Sequence, residues 1–233
     1  MTEEKLTGGF PVYVAGSTES KRAVIVIQEA FGVNDHIRSV TDRFAEAGYF
    51  AVAPQLFHRD GSPEIAYDDF PSAMKYMGNL NKEGLTNDLN ATTDFLATLG
   101  FHAANIAIVG YCMGGTVTLY AATLGLVGAA ASFYGGGVET GRFGLAPLVE
   151  LAPELKCPWL GLYGDLDAGI PVEQVEHLRA AAATSAFPTD VVRYADGDHG
   201  FHCDGRPSVY NEAAARDAHR RTLDFFAANL IDK

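Results

Sequence analysis

Asn105-Ile106-Ala107-Ile108-Val109-Gly110-Tyr111-Cys112-Met113-Gly114-Gly115 begins as an apolar, β-branched run and ends between glycines. The run predicts a strand over 105–109, and the Ala-, Thr- and Leu-rich stretch that follows predicts a helix over 113–123. A cysteine therefore sits in a tight strand-to-helix turn. The same alternation extends in both directions. Ala23-Val24-Ile25-Val26-Ile27-Gln28 has the unbroken β-branched character of a strand covered on both faces. After it, Ile37, Val40, Phe44 and Ala47 recur at helical spacing over 35–47, and Gly48 stops the pattern. Further strands are expected at 49–53, 128–133, 158–163 and 190–194, and further helices at 86–99, 172–183 and 211–230. Segment 55–81 contains His58, Arg59, Asp60, Gly61 and two prolines, and reads as an irregular loop before a helix. This βαβα rhythm predicts an α/β fold with a mainly parallel central sheet and helices on both faces. No repeat, low-complexity tract or linker interrupts it, so one domain is expected over 1–233.

The chain of 233 residues is 48% hydrophobic and 20% charged, enough to build a full core without disulfide or metal staples. Its formal net charge of −12 argues against a nucleic-acid or anionic membrane partner, either of which would need a basic surface. One arginine in a cleft can still select an anionic substrate. No apolar run reaches the length of a membrane span, and the acidic start lacks a hydrophobic signal core, so a cytoplasmic location is expected. Cys112, Cys157 and Cys203 are odd in number and widely spaced, which excludes a disulfide framework and leaves buried thiols as the default.

In an open parallel sheet, ligands bind outside the carboxyl ends of the strands. The residues that follow each strand are therefore the ones to inspect. They include Gln28-Glu29-Ala30-Phe31-Gly32, Cys112-Met113, Gly164-Asp165-Leu166-Asp167 and Gly197-Asp198-His199-Gly200-Phe201. A thiol, two candidate acids and a histidine share one rim. A cysteine at a helix N-terminus is favoured as thiolate by the helix dipole. The Met113 amide would face the oxyanion that forms when a carbonyl is attacked. A histidine after the last strand can face the thiol with one nitrogen and an acid with the other. His199 is the candidate base, with His202 its rival three residues on. Asp165 reads as a turn former that bonds loop amides. The cluster Asp198, His199, His202, Cys203 and Asp204 lacks the spacing of a metal site, so no metal and no cofactor are expected. His36, His58, His102, His177 and His219 have no evident partner and read as surface or loop residues.

Gly-x-Cys-x-Gly between strand and helix is similar to the nucleophile elbow of α/β-hydrolases with cysteine in place of serine. Gly164-Asp165-Leu166-Asp167-Ala168-Gly169-Ile170-Pro171 resembles the hydrolase pattern G-x-x-D-x-x-[VI]-P, which selects Asp167 over Asp165. With Gln28-Glu29-Ala30-Phe31-Gly32-Val33-Asn34 and Gly197-Asp198-His199-Gly200-Phe201, these blocks resemble the dienelactone hydrolase (carboxymethylenebutenolidase) family over about 9–230. The resemblance implies an α/β-hydrolase fold and a Cys112, His199, Asp167 triad that opens an enol-lactone ring. It implies that Glu29 pairs with the cysteine at rest and is displaced by substrate. The Ala30 and Met113 amides would form the oxyanion hole.

The chain departs from the family where a substrate carboxylate is held. The family's arginine four residues beyond the histidine is replaced by Cys203, and Gly200 stands where Ser is usual. Arg206 and Arg59 are the remaining candidates for that contact. The expected activity is hydrolysis of a dienelactone or similar activated lactone, in a monomer or weak homo-oligomer. A general esterase or thioesterase is the alternative, and a redox-sensing or ligand-binding relative a third.

Overall fold

Ala23–Ile27 is buried along its whole length, as a strand flanked by neighbours and covered on both faces must be. The computed structural model describes residues 2–6 and 9–233 and puts this strand near the middle of one eight-stranded sheet. The strands are β1 (Thr2–Lys5), β2 (Pro11–Ala15), β3 (Ala23–Ile27), β4 (Phe50–Pro54), β5 (Ile106–Tyr111), β6 (Ala129–Phe133), β7 (Trp159–Gly164) and β8 (Thr189–Tyr194). Their order is β1-β2-β4-β3-β5-β6-β7-β8. From β4 to β8 every pairing is parallel, while β1 and β2 add an antiparallel edge.

The helices are α1 (Asp35–Glu46), α2 (Phe70–Asn79), α3 (Lys82–Thr98), α4 (Met113–Ala122), α5 (Leu148–Leu151), α6 (Val172–Ala182) and α7 (Glu212–Asn229). α1 buries Ile37, Val40 and Phe44, and Asn34 caps it by accepting from the Ile37 amide at 3.2 Å. Phe44 meets Phe226 of α7 with ring centroids 6.3 Å apart, so α1 and α7 share one face of the sheet. α3, α4, α5 and α6 follow one another across the other face.

The parallel strands end in register. Ile27 lies beside Gly110, Tyr111 beside Phe133, and Gly164 beside Tyr194. The loops after β3, β5, β6, β7 and β8 therefore open on one rim. α4 is drawn tightly onto that rim. A side chain at Gly110 would overlap the Gly114 carbonyl, and a Cβ at Gly114 would come within 2.6 Å of the Gln28 carbonyl oxygen. Ser132 of β6 accepts from Trp159 Nε1 at 3.0 Å and donates to the Gly115 carbonyl at 2.9 Å, pinning the start of α4 to the sheet.

The structure differs from the sequence expectations at several places, the short α5 at Leu148–Leu151 among them. β1 and β2 were not foreseen; Pro11-Val-Tyr-Val-Ala15 gains its strand character from pairing with β4. α3 begins at Lys82 because Asn81 accepts from the Gly84 amide at 2.9 Å. Within 55–81, a single turn at 58–60 is followed by α2, whose N-terminus Asp69 caps through the Ser72 amide at 3.2 Å.

Candidate active site

Cys112 lies between β5 and α4 with φ 55° and ψ −117°, a left-handed conformation that a cysteine adopts only under constraint. The short connection and the glycines on either side enforce it. The resulting turn lifts Sγ over the rim, where His199 Nε2 stands 3.1 Å away. His199 Nδ1 donates to Asp167 Oδ2 at 2.6 Å, and the other Asp167 oxygen accepts from the Gly169 amide at 2.8 Å. Asp167 is buried, so its charge is spent on these two donors. Burial alone would push the His199 imidazole down. Facing the Cys112 sulfur and the Asp167 carboxylate, it is held well above its usual value.

Asp165 is turned away from this line. It forms a forked ion pair with Arg193, at 2.7 and 2.8 Å, instead of bonding loop amides. His202 is buried, has no hydrogen-bond partner at either nitrogen among the described residues, and stacks on Tyr111 with centroids 4.9 Å apart. Burial, then the positive charge of Arg43, holds it well below its usual value, so it packs as a neutral ring.

Ala30 and Met113 line the same cavity as Cys112, and the amide of neither has a backbone acceptor among the described residues. Both remain available to an oxyanion. The loop bearing Ala30 is fixed by Gln28. Its side-chain oxygen accepts from the Leu56 amide at 3.0 Å, and its nitrogen donates to the Glu29 carbonyl at 3.3 Å.

Glu29 is buried and is not brought into hydrogen bonding with Cys112. Its Oε1 accepts from the Tyr134 hydroxyl at 3.2 Å, and its Oε2 has no partner among the described residues. Tyr134 follows β6 with φ 40° and packs its ring 5.2 Å from that of His199. Sequence inspection passed over this loop, although the rule that pointed to the other strand ends applies to it equally. One oxygen of Glu29, one nitrogen of His36 and the Cys203 sulfur also lie within 4.8 Å of one another. Such a trio has ligand chemistry. Here burial pushes the Cys203 thiol up to about 12, and it donates to the Tyr67 hydroxyl at 3.2 Å.

Of the two candidate arginines, only Arg206 reaches the cavity. Its guanidinium lies over the Phe31 ring at 5.7 Å. Arg59 does not. It is forked onto buried Asp88 of α3 at 2.6 and 2.8 Å, because a carboxylate removed from water must be paired. His58 also contacts Asp88, at 3.1 Å. His36 is likewise buried, with Nδ1 2.7 Å from Asp204, and His177 pairs with Glu139 at 2.6 Å. His219 packs 5.1 Å from Phe44, and burial lowers it to about 4. The reading of His36 and His219 as surface or loop residues is corrected accordingly, while His177 lies on the surface as expected and has Glu139 as its partner.

The cavity over Cys112 has a volume of about 790 Å³ and is walled by Phe31, Phe70, Met74, Met77, Leu80, Phe143 and Ile170. Arg142 also reaches it, lying against Gly136. No motif in the sequence marks this arginine. Among the described residues, no helix is long and apolar enough to cross a membrane.

Comparison with known proteins agrees with this architecture. The sequence model of the dienelactone hydrolase family matches residues 10–230. A candidate carboxymethylenebutenolidase of Salmonella typhimurium is 37% identical over 93% of this chain and 82% of its own length. The carboxymethylenebutenolidase of Pseudomonas putida is 29% identical over 94% of this chain and 91% of its own length. The crystal structure of a candidate dienelactone hydrolase from Klebsiella pneumoniae superposes with a TM-score of 0.87 at 34% identity, covering 97% of each chain. With the parallel sheet and its rim already described, these matches establish that the chain belongs to the dienelactone hydrolase family and is a hydrolase of the α/β-hydrolase fold.

Proposed function

We propose that this protein hydrolyses activated carboxylic esters, enol lactones among them, through a Cys112–His199–Asp167 triad. The observation that carries the reading is the continuous line from Cys112 Sγ to His199 Nε2 and from His199 Nδ1 to Asp167 Oδ2, at 3.1 and 2.6 Å. In this reading the Cys112 thiolate adds to the substrate carbonyl, and the Ala30 and Met113 amides hold the oxyanion. The intermediate collapses to a thioester as the C–O bond breaks. The imidazolium of His199 supplies the proton that the departing oxygen needs. His199 then takes a proton from water as the water adds to the thioester. The second collapse releases the carboxylic acid and regenerates the thiolate, with Asp167 holding the ring in one tautomer throughout. Because a thiolate departs more easily than an alkoxide, esters with good leaving groups should react and simple alkyl esters should not.

Cis- and trans-dienelactone are the family substrates to test, beside p-nitrophenyl acetate, with wild type and Cys112→Ala. Turnover of dienelactone that vanishes in Cys112→Ala supports the reading, and equal turnover by the variant refutes it. The broader esterase reading is favoured by the size of the cavity, about 790 Å³, much of which a single small lactone would leave to water. Aryl-ester turnover without dienelactone turnover selects it.

A further inference from the structure

Glu29 follows β3, His36 opens α1, and Cys203 lies in the loop between β8 and α7. None of the three is more than 4% exposed, and one ligand atom of each lies within 4.8 Å of those of the other two. Glu29 Oε2 and His36 Nε2 are buried and have no hydrogen-bond partner among the described residues. A carboxylate oxygen and an imidazole nitrogen withdrawn from water cost free energy unless something meets them. No step proposed at Cys112 uses either atom.

The outward sides of the same three residues are already held. Glu29 Oε1 accepts from the Tyr134 hydroxyl at 3.2 Å. His36 Nδ1 pairs with Asp204 at 2.7 Å, which leaves Nε2 as the free ring nitrogen. The Cys203 sulfur is 3.2 Å from the Tyr67 hydroxyl. That hydroxyl accepts from Asn34 Nδ2 at 3.1 Å, so its own proton is left for the sulfur. A carboxylate on the far nitrogen of a histidine, with hydrogen bonds to the other ligands, is the outer support that orients side chains around a metal ion. His36, Tyr67 and Asp204 also line a second cavity of about 570 Å³, separate from the one over Cys112, which offers an ion a way in.

We infer that Glu29, His36 and Cys203 form a site for one divalent transition-metal ion. A set of one oxygen, one nitrogen and one sulfur suits zinc, at about 2.0–2.3 Å from each ligand. Tetrahedral ligands at those lengths stand about 3.5 Å apart, so the side chains need to close by little more than about 1 Å. The ion replaces the proton of the Cys203 thiol, which leaves to solvent. The Tyr67 hydroxyl then donates to the thiolate, and a water completes four ligands. Bound there, the ion ties the loop that carries Ala30 to the loop that carries His199. It braces the rim and touches no reacting atom, so the inference does not depend on ester hydrolysis at Cys112.

The test uses the full chain, stripped with a chelator, freed of it and then offered zinc. Metal analysis after gel filtration should find about one zinc per chain in wild type and in Cys112→Ala. His36→Gln and Cys203→Ser should each weaken binding by at least about 100-fold, and Asp204→Asn, which keeps all three ligands, by about 10-fold or more. Cobalt(II) in place of zinc should give a thiolate-to-metal charge-transfer band that persists in Cys112→Ala and is absent in Cys203→Ser. Zinc at about 100 times its Kd should raise Tm by about 5 °C or more in wild type and not in Cys203→Ser. Asp204 is half-exposed, so Asp204→Asn keeps the test decisive if a buried ligand variant does not fold. Absence of bound zinc in wild type overturns the inference, and so does an affinity that Asp204→Asn leaves unchanged. Zinc kept by folded Cys203→Ser but lost from Cys112→Ala also overturns it, by placing the ion on the Cys112 thiol.

Discussion

The Tyr134 hydroxyl donates to Glu29 at 3.2 Å, and the carboxylate it holds makes no hydrogen bond to Cys112. The family resemblance implies a resting pair between Glu29 and the cysteine. In this structure the thiol is paired with His199 and Glu29 with Tyr134. A carboxylate released towards a thiol opposes its ionisation. Tyr134→Phe should therefore slow iodoacetamide alkylation of Cys112 near neutral pH by about 3- to 10-fold, and Glu29→Gln in that background should restore the rate. An alkylation rate unchanged in Tyr134→Phe would remove this role from the tyrosine.

Two aspartates two positions apart should behave differently. Asp167→Asn leaves His199 without its carboxylate partner, and steady-state kcat should drop by about 10³-fold or more. Asp165→Asn breaks a partly exposed pair with Arg193 at 2.7 Å, and kcat should stay within about twofold, with stability lowered by about 1 kcal/mol or less. Similar kcat losses in both variants would contradict the assignment of the acid.

His199 is held above its usual value against the opposing effect of burial, first by the charge of Cys112 and then by its bond to Asp167. A raised folded value means that this imidazolium stabilises the fold fully below about pH 6.5, its unfolded range. That stabilisation is lost as pH climbs through the folded value. In Cys112→Ala the His199 titration, followed by the imidazole resonances in NMR, should move down. A titration that moves up or stays in place would refute the coupling.

Buried neutral histidines give the opposite dependence. His202 and His219 are both held low, by burial and then by the charge of Arg43, with His219 at about 4. Their contribution is complete above about pH 6.5 and falls as acid protonates the unfolded chain preferentially, by up to about 1.4 kcal/mol per pH unit for each group. Urea unfolding between pH 6.5 and 4 should show this slope. His202→Phe, which fits the ring environment of Tyr111 and Phe133, should flatten it.

Arg59 belongs to stability. With Arg59→Ala, buried Asp88 loses its guanidinium partner and keeps the hydrogen bond to His58, and unfolding free energy should fall by about 1–2 kcal/mol. The KM for an anionic ester should be unaffected in the same variant.

The strands β3 and β5 were legible because they are apolar and rich in β-branched residues, and Cys112, Asp167 and His199 were legible because each follows a strand that ends on the same rim: β5, β7 and the edge strand β8. The antiparallel strands β1 and β2 were not, since the extended form of β2 depends on β4, distant in sequence, and β1 in turn pairs with β2. Arg59 and Arg206 look alike in sequence. They are separated by a single fact that only tertiary structure supplies, which is that α3 brings buried Asp88 to Arg59. Tyr134, Arg142 and the α2 face escaped for a related reason. A tyrosine, an arginine and two exposed apolar residues carry no pattern until the chain folds them around one opening.

Cys112 and His199 meet across 87 residues of sequence, and Asp167 and His199 across 32. No local segment of the chain can therefore assemble this site, and an intermediate with the β3–β5 half in place would lack two of its three members. Since non-local pairings form slowly, the recovery of activity in a refolding experiment should lag behind the recovery of helical signal and coincide with the docking of β7 and β8. In such an intermediate Cys112 would lack the His199 contact at 3.1 Å that pairs its thiol in the folded chain.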